Sequence, residues 1–110
     1  MNIDLKPVRW LGTTLEDIRA QRLAIRSELG QQSLRVQMGL MPNNYKPMTT
    51  VGAGTYEIRA RDVDEISRLI YVVKFRDTVY VLHVFTKKSQ RTSKTDIDIA
   101  KQRYREARDG

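Results

Sequence analysis

Residues 66–88, ISRLIYVVKFRDTVYVLHVFTKK, hold two apolar runs rich in β-branched and aromatic side chains, joined by Arg76-Asp77 and closed by Lys87-Lys88. Runs of that kind read as strands, and so short a connection pairs them antiparallel as a hairpin. The pattern predicts strands over 66–75 and 78–86. Both are apolar on either face, which places them centrally in a sheet. In the first, Arg68 shares a face with Ile66, Ile70, Val72 and Lys74. Strict alternation in the second puts Val79, Val81, His83, Phe85 and Lys87 on one face. Tyr80, Leu82, Val84, Thr86 and Lys88 then take the other.

Working outward, residues 56–61 (YEIRAR) alternate Tyr/Ile/Ala with Glu57, Arg59 and Arg61, a strand with a polar, basic open face. Residues 6–11 make a short strand ended by Gly12, and Pro7 suits an edge or a strand start because it has no N–H for a ladder. Thr13 with Glu16 has the form of a capping box, with Thr14 as the alternative cap. Residues 15–38 read as two helical pieces with Gly30 as a weak point and Gly39 as the stop. Leu15, Ile18, Ile25, Leu29, Leu34 and Val36 form their apolar stripe, and Arg19, Arg22, Arg26 and Arg35 a solvated face. Two prolines, two asparagines and two glycines make residues 42–54 an irregular loop. Ser93 or Thr95 caps a last helix that carries Ile97, Ile99, Ala100 and Tyr104 beside four basic residues. The order strand, helices, loop, three-stranded meander, helix predicts one α+β domain over residues 1–110.

The 20 Lys+Arg outnumber the 13 Asp+Glu, for a net charge of +7. A small domain so basic meets nucleic acid, an acidic protein or an anionic surface. No apolar run approaches the ~18–20 residues that span a bilayer. The N-terminus MNIDLKPVRW lacks the layout of a signal peptide. The expectation is therefore a cytoplasmic protein with no membrane partner. With no cysteine and one histidine, neither thiolate chemistry nor a clustered zinc site is expected, and no cofactor is implied.

His83 sits between Leu82 and Val84 and reads as a packed core histidine rather than a base. Asp62, Asp64 and Glu65, like Asp96 and Asp98, read as turn and cap acids. Arg68 needs a partner inside an apolar strand. Two readings stand: an ion pair with Glu57 on the neighbouring strand, or a phosphate contact beside Arg59 and Arg61. Lys87, Lys88 and Arg91 follow a rigid strand and are either a solvated turn or further phosphate contacts.

The segments KPVRWLG, YKPMTTVGAGTYEIR, RLIYVVKF and VYVLHVFTKKSQRTSKTDIDIAKQRY together resemble the RelE/HigB family of type II toxins, and within it the phage-derived Gp49-like branch. The resemblance runs from about residue 6 to residue 105, and its last segment is the most specific. It implies a small twisted antiparallel sheet with an N-terminal helical pair and a C-terminal helix packed on it. It also implies an endonuclease that needs no metal and cleaves mRNA on the translating ribosome. Implied partners are the ribosome, mRNA and a HigA-like helix-turn-helix antitoxin, with operator DNA reached through that antitoxin. By the same resemblance the catalytic positions are Arg59, Arg68, Lys87 and Lys46, and the RNA-binding positions Lys88, Arg61, Arg91, Thr92 and Lys94. Lys46 or Lys87, crowded by cations, is the candidate base, and Tyr71 a candidate acid. The fold is shared with the ParE branch, which binds gyrase and cuts no RNA. That branch and an inactive phage-derived binding module are the alternatives.

Overall fold

In the computed structural model, which describes residues 4–87 and 91–110, the elements are β1 (Val8–Trp10), α1 (Thr14–Arg19), α2 (Leu23–Gln37), β2 (Tyr45–Pro47), β3 (Thr55–Arg61), β4 (Ile66–Val72), β5 (Val79–Lys87) and α3 (Lys94–Asp109). The strands form one sheet in the order β1-β5-β4-β3-β2. Every neighbouring pair is antiparallel apart from the edge pair β1 and β5, which runs parallel. The α+β class read from the sequence is therefore what the chain adopts, with a mixed rather than purely antiparallel sheet. Among the described residues no helix is long and apolar enough to cross a membrane.

The central hairpin turns where expected. Arg76 and Asp77 have φ of 53° and 50°, and Thr78 N–H donates to the Phe75 carbonyl at 3.2 Å. Two consecutive positive φ values are what a type I′ hairpin turn requires. The strands themselves stop earlier, at Val72, and resume at Val79.

One irregularity in β5 reassigns its faces. Ile70 lies opposite His83 while Tyr71 lies opposite Val81, so Leu82 is an extra residue in the ladder. A bulge of this kind shifts the alternation by one. His83, Phe85 and Lys87 therefore share a face with Tyr80 and Leu82, not with Val79 and Val81 as strict alternation predicts. Arg103 on α3 donates from Nη1 to the Leu82 carbonyl at 2.9 Å, satisfying an acceptor at the bulge.

The two sheet faces bury different partners. On one, Ile58, Ala60, Leu69, Tyr71, Val79, Val81 and Val84 pack with Ile18 of α1 and Ile25, Leu29 and Val36 of α2. On the other, Ile70, Val72, Tyr80 and Leu82 pack with Met48, Val51 and the α3 residues Ala100 and Ala107.

Four local expectations change. The helical break falls at residues 20–22 rather than at Gly30, which lies within α2 facing open space. Leu34 is exposed instead of joining the core stripe. Thr13 makes no cap bond, because its hydroxyl donates to the Asp17 carboxylate at 2.7 Å. The 42–54 stretch is not wholly irregular, since β2 pairs with β3 there. The two stops hold. Gly39 ends α2 at φ 84°, with Leu40 N–H to the Arg35 carbonyl and Gly39 N–H to that of Val36, a Schellman arrangement. Ser93 caps α3, its Oγ accepting from Asp96 N–H at 3.1 Å.

Candidate functional site

α3 covers part of its face of the sheet and leaves the rest open. Registers place the open part in three rows. Lys46 lies opposite Glu57, and Glu57 opposite Ile70. Arg59 lies opposite Arg68, and Arg68 opposite Phe85. Arg61 lies opposite Ile66, and Ile66 opposite Lys87. Period-two alternation on β3 and β4, with the β5 bulge, thus brings side chains from four strands to one surface.

A buried carboxylate lies beneath those cations. Glu57 is 0% exposed, although alternation alone places it on an open face. Arg68, 3% exposed, donates from Nη1 to Glu57 Oε1. Arg59 Nε stands 3.5 Å from the same oxygen. Thr92, the second residue before α3, donates its hydroxyl to Glu57 Oε2 at 3.0 Å and accepts from Lys87 Nζ at 3.2 Å. The ion pair between Arg68 and Glu57 is one of the two readings open from the sequence, and it is the one built. A buried charge is tolerated when paired and hydrogen-bonded in this way.

Burial, and after it the Arg68 charge, push the Lys87 ammonium below the ordinary lysine range. Glu57 pulls it back, and Lys46 and Arg59 add to the lowering. One carboxylate set among several cations leaves the site positive and favours loss of a proton from the lysine.

Lys87, Arg59, Arg61 and Arg68 line an open cleft of about 790 Å³. Asn44 closes one side, and Asp64 and Glu65 stand in the same wall as the turn after β3. That turn is fixed by Asp62, whose Oδ1 accepts the N–H groups of Asp64 and Glu65 at 2.8 Å each. Those bonds hold the Asp62 carboxyl below its usual range. Arg22, at the head of α2, bridges Asp62 and Asp64 at 3.1 and 2.9 Å. These acids are turn acids, as their spacing suggests.

The other candidate positions fall around this cleft. Lys46 and Arg91, both exposed, border a neighbouring recess with Thr92. Thr92 is 6% exposed and its hydroxyl is engaged inward. Lys94 is on the first turn of α3, exposed, paired with Asp98 at 2.8 Å and outside the cleft lining. Lys88 lies outside the described residues. Tyr71 faces α1 and α2 on the opposite side of the sheet, where burial pushes its hydroxyl upward in pKa, so it is not the acid of this face. His83 is 8% exposed, bonded through Nε2 to Asp96 at 2.7 Å and stacked on Phe85. That is a packed histidine, as read. The shared role of Glu57 and Thr92 is what the sequence did not disclose. The signal available was Glu57 standing in line with Arg59 and Arg61, on the strand next to one that carries a lone arginine.

Among the described residues no group of three or more His, Cys, Asp or Glu side chains is placed to hold a metal ion. The arrangement can bind an anionic group at Arg59 and Arg61, and can accept a proton at Lys87.

A family model described as phage-derived protein Gp49-like (DUF891) matches residues 16–105. That span runs from α1 into α3 and contains every candidate residue named above. No curated protein matches the chain, and no solved structure does.

Proposed function

The chain belongs to the phage-derived Gp49-like family, and from that premise we propose that it is the toxin of a toxin–antitoxin pair, a RelE/HigB-like endoribonuclease that cuts mRNA on the translating ribosome. The observation that carries this reading is the state of Lys87. It is a buried lysine of lowered pKa on a rigid strand, in the wall of a cleft shared with Arg59 and Arg61.

Those side chains can take the parts of base and charge stabiliser, with solvent as the acid. A ribose 2′-oxygen attacks the adjacent phosphorus, forming the new P–O bond as the bond to the 5′-oxygen breaks. Lys87, as the neutral amine, takes the 2′-hydroxyl proton. Arg59 and Arg61 face the extra negative charge that develops on the phosphorane. Preorganised electrostatic contacts of this kind are worth about 3–4 kcal/mol each. The departing 5′-oxygen is protonated by solvent, leaving a 2′,3′-cyclic phosphate and a 5′-hydroxyl. Arg68 is too deep to be a first contact and acts through Glu57. Lys46 and Arg91 extend the positive surface along the RNA backbone.

On this reading the protein works in the cytoplasm. Its partners are ribosome-bound mRNA and a HigA-like helix-turn-helix antitoxin, with operator DNA bound through the antitoxin. Mapping mRNA 5′ ends after brief expression tests it. New 5′-hydroxyl ends within translated frames, lost in Arg59→Ala and Lys87→Met variants that remain folded, are the expected result. Intact mRNA with DNA-damage signalling would overturn it in favour of gyrase binding of the ParE kind.

A further inference from the structure

Thr92 has one hydroxyl hydrogen, and the geometry assigns it. Glu57 Oε2 lies 3.0 Å away, and an ionised carboxylate can only accept. The hydrogen therefore points at Glu57. Toward Lys87 Nζ, at 3.2 Å, the same oxygen can only accept. Lys87 must then present an N–H to Thr92 whether it is an ammonium or an amine. In the amine form the lone pair is directed elsewhere than at Thr92.

We propose that Thr92 is a positioning residue for Lys87: its hydroxyl, oriented by the buried Glu57, holds the lysine nitrogen on the basic face with an N–H turned inward and its lone pair free of that contact. This deepens, and rests on, the reading of Lys87 as the proton acceptor. Two features favour it over mere satisfaction of Glu57. Arg68 and Arg59 both stand at Oε1, and the Thr92 hydroxyl that meets Oε2 also accepts from Lys87, a contact that serving Glu57 alone does not require. Thr92 also precedes α3 by two residues, behind the Ser93 cap, so its place is fixed by the helix start rather than by the strands that carry the cations. Among the described residues, the charged groups that act on Lys87 include Arg68 on β4, Glu57 and Arg59 on β3 and Lys46 on β2. Arg61, Asp64 and Glu65 share its cleft.

The test compares Thr92→Val, of the same shape without the hydroxyl, with Thr92→Ser, which keeps it. Both are made in the full chain and read in two ways. In the free protein, trace acetylation of lysines across a pH series gives the titration midpoint of Lys87. Thr92→Val removes an acceptor of the ammonium while burial and the Arg68 charge remain, so it lowers that midpoint further, and Thr92→Ser leaves it in place. In cleavage assays on translating ribosomes, Thr92→Val lowers kcat at least about tenfold with KM little changed, the pattern of a lost transition-state interaction. Its acid limb moves down with the Lys87 midpoint, and Thr92→Ser restores both.

An unmoved or raised midpoint in Thr92→Val, or equal impairment of Val and Ser, overturns the proposal. If the Val variant does not fold, Thr92→Ala carries the same comparison. The acetylation arm needs no RNA. A wild-type protein that cleaves nothing but shows the midpoint shift would sink the nuclease reading and leave the tether standing.

Discussion

The two faces of the sheet are made by the same strands and do opposite work. Toward α1 and α2, β3 to β5 present Ile58, Leu69, Tyr71 and Val84, all buried in one apolar cluster. Toward α3 they present apolar residues at one end and Glu57, Arg59, Arg68 and Lys87 at the other. Leu69 and Arg68 are neighbours in sequence and differ in exposure by a few per cent, yet one is held by dispersion and dry packing and the other by a carboxylate. One side of the sheet is thus given wholly to apolar packing, and the other is shared between apolar packing and a buried ion-paired cluster. Because alternate residues serve the two roles, neither can slip in register without harming both.

The comparison breaks most sharply at Glu57. Replacing it with Gln keeps the shape and removes the charge, leaving Arg68 buried without its counter-ion. Removal of one partner from a buried ion pair destabilises by about 3–5 kcal/mol, to be read from the urea midpoint. The double variant Glu57→Leu/Arg68→Met should regain most of that loss, since well-packed apolar replacements of buried pairs are often neutral. A Gln variant as stable as the parent would mean the basic face does not depend on the carboxylate. Next in size is a matched pair on β4. Leu69→Ala opens a cavity on the helical side and should lower stability by about 3 kcal/mol. Ile66→Ala, half-buried in the cleft wall, should lower it by about 1 kcal/mol or less. Equal losses would show that the cleft side is packed as tightly as the core.

Much of this division was legible in the sequence. β-branched and aromatic runs disclosed the hairpin, the short Arg76-Asp77 connection its turn, and Gly39 and Ser93 the helix ends. Arg59, Arg61 and Arg68 could be placed on one face because β3 and β4 obey a period of two. The β5 bulge broke that logic. One extra residue at Leu82 leaves no mark in the pattern of apolar letters, since Tyr80, Val81, Leu82 and Val84 can pack on either face. Its consequence is nonetheless decisive, because it turns Lys87 toward Arg68. Likewise no spacing rule links Glu57 to Thr92, 35 residues apart in sequence and joined by the docking of α3. Gly52 is a similar case: a Cβ there would overlap the Tyr104 ring, whose hydroxyl donates to the Ala53 carbonyl at 2.9 Å. A glycine in a loop suggests a turn, whereas here it makes room for a helix.

The smallest effect discriminates most finely between the faces, since it follows a proton rather than a packing change. Lys87 has a lower pKa folded than unfolded. Between those two values the unfolded chain binds more protons than the native one, so stability rises with pH across that window. Below the folded value the lysine is charged in both states, and above about 10.4 it is neutral in both, so the slope vanishes at either end. Subtracting the Lys87→Met variant from the parent isolates the contribution, because the other titrating groups are common to both. The parent-minus-variant difference in unfolding free energy should therefore climb with pH through the alkaline range and then level off. Lys94 provides the control. Its exposed pair with Asp98 raises its pKa, so Lys94→Met should give a difference that falls as pH rises through the folded value. A flat difference for Lys87 would mean that its ammonium is as well stabilised folded as unfolded, and that the basic face does not hold a lysine ready to accept a proton.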